Sequence, residues 1–318
     1  SRRLPFATIA PTVTLTAFPT ATYTPYPTAS PTSSPSPTPL GGGTGQIAFT
    51  STRSGAAEIY LVNVDGSGLT QLTFIPEGAC QPRWSPDGQR LVFISPCDRD
   101  VESYPGSSLF LMNVDGSGII PLPNPPGGDY EPVWSPDGDK IAFTSLREDG
   151  IPSIYLLNLA DNTVTRIGDP EGRYNNNPSW SYDGRLIAYV GQDNRIYAMS
   201  VDGSENSPLI IGGGNYYNSL PIWSPDGTVV FFSRVRMDDA ARIPSLWAVP
   251  YSAQGALPIE VANSHMVVDP SFSSDGFWLA FKSWISGSHD IYIMRSSGVN
   301  RQAIITDPGY DFDPAWRP

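Results

Sequence analysis

The sequence predicts an all-β fold: a six-bladed β-propeller preceded by an extended Pro/Thr/Ser-rich tail. Three observations carry that prediction. The motif Trp-Ser-Pro-Asp-Gly stands at Trp84–Gly88, Trp134–Gly138 and Trp223–Gly227, with altered copies at Trp180–Gly184 and Phe272–Gly276 and a truncated one at Trp316–Pro318. Its aromatics recur at intervals of 50, 46, 43, 49 and 44 residues, the length of a propeller blade. A proline lies two residues before each aromatic: Pro82, Pro132, Pro178, Pro221, Pro270 and Pro314.

The first region, residues 1–45, is the tail. Residues 1–39 hold nine Pro, ten Thr and five Ser, and Gly41–Gly43 with Gly45 form a flexible joint. Such a composition buries too little apolar surface to offset its ordering entropy, so an extended segment is expected. Pro19–Pro39 reads as polyproline II, which at about 3.1 Å per residue reaches roughly 65 Å. Within it Thr20, Thr22, Thr24, Thr28, Thr32, Ser34, Ser36 and Thr38 are candidates for O-glycosylation, as Ser/Thr tracts with Pro commonly are. One piece differs. Val13, Leu15 and Ala17 alternate with Thr12, Thr14 and Thr16 ahead of Phe18, the period of a β-strand with no partner strand nearby. Two readings stand: alternation within a Thr-rich spacer, or a strand that adds to another protein's sheet edge.

The second region, residues 46–318, is the propeller. After each Pro-Asp-Gly comes an apolar strand, as in Leu91–Ile94, Ile141–Phe143, Leu186–Tyr189, Val229–Phe232 and Leu279–Phe281. A polar loop and another strand follow, such as Leu109–Met112, Ile154–Leu157 or Ile291–Met294. An Asp-Gly turn then often precedes a last short strand, and Asp-Gly favours the φ > 0 geometry of tight hairpins. Four antiparallel strands per unit, repeated radially, make a propeller. The unit at Gln46–Thr73 lacks its first strand, and Asp313–Trp316 is a first strand without the rest. The two complement each other, so strands from both ends are expected to close one blade.

This Trp-Ser-Pro-Asp-Gly pattern, with its Ile-Ala-Phe and Ile-Tyr strands, resembles the WD-like repeats of the TolB propeller family over about residues 46–318. TolB proteins carry a small α/β domain before the propeller, where this sequence has the Pro/Thr/Ser tail. The resemblance implies six blades, an export route and protein-binding surfaces, and it implies no particular chemistry.

Charge and motif content narrow the function. With 31 acids against 19 bases the net charge is −12, which disfavours nucleic acid and anionic membrane surfaces. No apolar run is long enough to span a membrane. His265 and His289 are the two histidines and have no metal-ligand spacing, and Gly212–Gly214 lacks the lysine of a phosphate loop. An enzyme is not expected, and no cofactor is expected.

The first strands offer a candidate site. The residues three and five positions before each aromatic should share one strand face and line the channel. Asp129, Glu131, Asp269, Asp311 and Asp313 would then form a partly acidic ring at the channel mouth. Three uses are open: acceptors for backbone N–H groups where the strand begins, ligands to a hard cation such as calcium, or contacts to a basic partner. The repeated Trp residues are expected to pack blades, and the Asp of each Pro-Asp-Gly to cap its own turn. Cys80 precedes, and Cys97 follows, the two strands of one hairpin. A Cys80–Cys97 disulfide is therefore expected in preference to two buried thiols, and it suits an oxidising compartment.

The expected function is an extracellular structural or protein-interaction propeller. Its partners would be other copies of itself, engaged through residues 12–18 and building rings or filaments, or another envelope or surface protein. The alternative is a cell-surface or periplasmic binding module on a glycosylated stalk, with its ligand at the channel mouth.

Overall fold

A computed structural model describes residues 44–318, apart from 98, 124–127, 168–173, 211–213, 254 and 307–308. The tail strand at 12–18 and the glycosylation candidates lie outside the described residues.

The described chain forms six four-stranded antiparallel sheets. Their inner strands are Asp311–Trp316 (blade 1), Cys80–Trp84 (blade 2), Asp129–Trp134 (blade 3), Asn175–Trp180 (blade 4), Tyr216–Trp223 (blade 5) and Val268–Phe272 (blade 6). Each inner strand touches those of the two neighbouring blades, which closes the ring. Blade 1 joins the two ends of the propeller sequence. Gln46–Ser51 pairs antiparallel with Asp311–Trp316 on one side and with Glu58–Asn63 on the other. The outer strands are short, from two residues at Thr70–Gln71 to four at Gln302–Ile305, and Pro121 and Pro208 further blunt two of these edges.

The repeat residues act as their chemistry dictates. In each Ser-x-Asp-Gly turn the Asp carboxylate accepts a hydrogen bond from the Ser hydroxyl and another from a backbone N–H two residues on, as Asp87 does from Ser85 and from Gln89 N at 3.0 Å. The same pair of bonds recurs at Asp137, Asp183, Asp226 and Asp275. The tryptophans are buried between blades. Trp84 Nε1 donates to Ala315 O at 3.0 Å, Trp134 Nε1 to Arg83 O at 3.2 Å and Trp180 Nε1 to Val133 O at 3.3 Å, each reaching the preceding blade's inner strand. Aromatics at one position of the second strands fill the core: Phe49, Phe93, Phe143, Tyr189, Phe232 and Phe281.

Candidate binding site in the central channel

Every inner strand carries a β-bulge at the residue before its proline. Gln81, Glu131, Asn177, Leu220, Asp269 and Asp313 all have left-handed backbones with φ between 51° and 56°, and the strand register slips at each. Proline has no N–H for the ladder, so the slip costs one fewer bond there than elsewhere. The bulge turns these side chains along the ring. Asp313 Oδ2 accepts Gln81 N–H (3.1 Å), Gln81 Oε1 accepts Glu131 N–H (2.6 Å), Glu131 Oε2 accepts Asn177 N–H (2.7 Å) and Asn177 Oδ1 accepts Leu220 N–H (3.2 Å). This belt ties blades 1 to 5 in one direction. It stops at Leu220, which has no acceptor to offer Asp269.

The bulge also corrects the expectation that positions three and five before the aromatic share a face. Glu131, Asp269 and Asp313 line the central cavity, whereas Asp129 and Asp311 do not. The carboxylates of those two are fully buried in ion pairs with arginines of their own blades. Arg147 Nη2 lies 3.0 Å from both Asp129 oxygens, and Arg53 Nη2 lies 3.0 and 3.1 Å from those of Asp311. Each guanidinium also sits over two rings, Phe143 and Tyr155 for Arg147, Phe49 and Tyr60 for Arg53. Blade 2 has Ala79 at the Asp position, and Cys97 where the arginine would stand two residues beyond Ser95. There Cys97 bonds Cys80, with Cα atoms 5.8 Å apart, so a disulfide clamps the strands in place of an ion pair. Gly78 leaves room for it, since a Cβ there would meet Cys97 O at 1.6 Å.

The cavity measures about 470 Å³ and draws lining residues from all six blades. Its charged wall is Arg83, Glu131, Asp269, Lys282 and Asp313, joined by Asp100 and Glu102 from the loop after the second strand of blade 2. The Asp100, Asp269 and Asp313 carboxylates approach within 4.8 Å of one another. Lys282 Nζ lies 2.5 Å from Asp100 and 3.0 Å from Asp269, so two of the three share an internal cation. Burial alone would lower the Lys282 pKa, but the Asp269 and Asp100 charges outweigh it and hold the ammonium well above its usual range. Burial raises Asp313, and Asp269 and Asp100 raise it further. Burial also raises Asp100 against the pull of Lys282. Glu131 is pushed up to about 7 by burial, against hydrogen bonds from Thr144 and Asn177 N–H.

Sequence reasoning passed over Asp100, Glu102, Arg83 and Lys282. Two signals pointed to three of these, and none to Arg83. Lys282 is one of two lysines and interrupts an apolar strand, Trp278–Ser283. The loop 96–107 between second and third strands has twelve residues, against four to eight in the other blades.

The pattern described as the TolB beta propeller domain matches residues 100–266. Among curated proteins, the chain is 29% identical over 158 residues to the "Uncharacterized peptidase YuxL" of Bacillus subtilis (strain 168), a stretch that is 37% of this chain and 24% of that protein. It is 28% identical over 193 residues to the "Protein TolB homolog" of Chlorobium luteolum, covering 60% of this chain and 31% of the relative. The chain thus spans less than a third of the length of these relatives. Among solved structures, TolB from Acinetobacter baumannii superposes with a TM-score of 0.72 at 18% identity, covering 87% of this chain and 68% of that one. Since the family pattern matches more than half of the 318 residues, the chain belongs to the TolB beta propeller family.

Proposed function

We propose that this chain is an exported, non-catalytic protein-interaction propeller that engages a basic partner at its central channel. The observation that carries this reading is the cavity wall, where five acids, Asp100, Glu102, Glu131, Asp269 and Asp313, stand against two cations, Arg83 and Lys282, among the described residues. Family membership supports interaction in place of catalysis. So does the engagement of the cavity carboxylates, whose oxygens serve neighbouring backbone amides and Lys282. The Cys80–Cys97 disulfide supports a site of action outside the cytoplasm, at the cell surface or in the periplasm. No helix among the described residues is long and apolar enough to cross a membrane. Binding of a fluorescent hexalysine peptide, followed by anisotropy at low and moderate salt, tests the reading. Glu102→Gln with Glu131→Gln should weaken it several-fold, whereas neutralising the turn acids Asp65 and Asp115 should not. Equal weakening by both pairs would show charge attraction without a site and sink the proposal.

A second reading is self-assembly through the tail, with residues 12–18 adding a strand to a neighbouring copy. The outer strand Gln302–Ile305 favours it, being the longest of the six outer edges. Light scattering on full-length protein and on residues 41–318 tests it: equal masses for the two at high concentration would discard it.

A further inference from the structure

The carboxylates of the cavity wall are unequally served. Asp100 and Asp269 share Lys282, whose Nζ lies 2.5 and 3.0 Å from them. Asp313 comes within 4.8 Å of both acids, yet among the described residues no cationic group lies within 4 Å of it. Its Oδ2 accepts Gln81 N–H at 3.1 Å, which supplies a hydrogen bond and no full charge. Glu131, two blades on, is in the same position. Thr144 Oγ1, Asn177 N–H and Asn177 Nδ2 all donate to it, and among the described residues it too lacks an ion pair. Arg83 lines the cavity without pairing with either acid, and its Nη1 donates to Pro82 O at 2.9 Å. Burial raises both carboxyls, Glu131 to about 7, and Asp269 and Asp100 raise Asp313 further.

One more polar group is left over. Asn176, 4% exposed, lines the cavity beside Asn177. Its Nδ2 donates to Tyr174 Oη at 3.2 Å, whereas its buried Oδ1 accepts no hydrogen bond among the described residues. Buried acceptors are nearly always satisfied, so one in a cavity wall calls for a donor from outside the chain. Much of the remaining wall is apolar, from Val133, Leu220, Ile222, Trp223, Val268 and Phe272. A bare metal ion would use the acids and leave that apolar surface idle. A methylene chain with an ammonium at each end uses both.

We infer that the central cavity binds a small aliphatic diamine or polyamine. One ammonium sits at Asp313, another at Glu131 and Asn176 Oδ1, and the methylene chain lies on the apolar wall. A volume of about 470 Å³ is in the range of small-molecule sites. The inference rests on the same acidic cavity as the reading of a basic partner, but it requires no protein partner.

Isothermal titration calorimetry on full-length protein tests it, with putrescine and spermidine as probes and butylamine and magnesium chloride as controls. A charge-assisted hydrogen bond is worth about 10-fold or more in affinity, so at least one probe should bind about 10-fold tighter than either control. Glu131→Gln and Asp313→Asn keep acceptors for Asn177 and Gln81 N–H, and each should weaken binding about 10-fold. Butylamine or magnesium binding as tightly as the probes would overturn the inference, as would wild-type affinity in both variants. If Asp313→Asn loosens the fold, Glu131→Gln decides. Hexalysine bound without either probe would sink this inference alone, and a probe bound without hexalysine would sink the partner reading alone.

Discussion

Leu220 is the position where the belt of inner-ring hydrogen bonds ends, and replacing it makes a sharp prediction. Leu220→Asn would place at blade 5 the residue that blade 4 already carries at Asn177. Three effects contribute. Leu220 has φ 53°, and a left-handed backbone costs an ordinary side chain roughly 1–2 kcal/mol, most of which Asn avoids. An Asn Oδ1 would give Asp269 N–H the acceptor that Leu cannot provide, worth about 1 kcal/mol. Against these, Leu220 is half-buried, and its lost apolar contact costs about 1 kcal/mol. The balance is a gain of about 1 kcal/mol, read as a Tm increase of about 2–4 °C in a domain of this size. Differential scanning calorimetry measures it. Asn177→Ala is the paired control: it strands Leu220 N–H and costs about 1–3 kcal/mol, with Tm falling accordingly. A lower Tm for Leu220→Asn would refute the claim that the belt adds stability, and a neutral Asn177→Ala would refute the belt itself.

Three further perturbations follow from the same geometry. Glu131 is held above its ordinary value at about 7, so its contribution to stability is complete below about pH 4.5 and is lost as pH rises through 7. Glu131→Gln, which matches Gln81 in blade 2, should shrink the Tm loss between pH 5 and pH 8 by about 2–5 °C, and an unchanged pH profile would contradict this. Opening the Cys80–Cys97 disulfide by Cys→Ser replacement of both residues should cost about 3 kcal/mol for a separation of 17 residues, seen as a Tm drop of about 6–12 °C that reductant reproduces in wild type. Asp311→Leu should cost about 3–5 kcal/mol by removing the buried carboxylate that pairs with the Arg53 guanidinium, and adding Arg53→Met should restore much of the loss in urea unfolding.

The scaffold was legible because its determinants are local and repeated. Tryptophan, proline and Asp-Gly mark each blade at fixed offsets, and the incomplete units at the two ends require each other. The pairing of Cys80 with Cys97 was legible for a similar reason, since both flank one hairpin. The channel was only half legible. Alternation along a strand placed Asp129 beside Glu131, but the bulge before each proline adds a residue and parts them. A bulge is set by three-dimensional pairing, and six X-Pro steps hint at it without declaring it. Lys282 and Asp100 are 182 residues apart and meet only because the ring closes. No spacing rule brings them together.

The belt reaches from blade 1 to blade 5 and, among the described residues, leaves blade 6 outside it. That makes blade 6 the expansion joint of the ring. A gene duplication that inserted a seventh blade at either of its borders would sever no belt hydrogen bond, whereas insertion anywhere else would separate a side-chain acceptor from its N–H. Circular permutation meets the same asymmetry: new termini opened between blades 5 and 6 would let the other five stay linked hand to hand. The propeller's repeats are therefore similar in sequence without being interchangeable as modules.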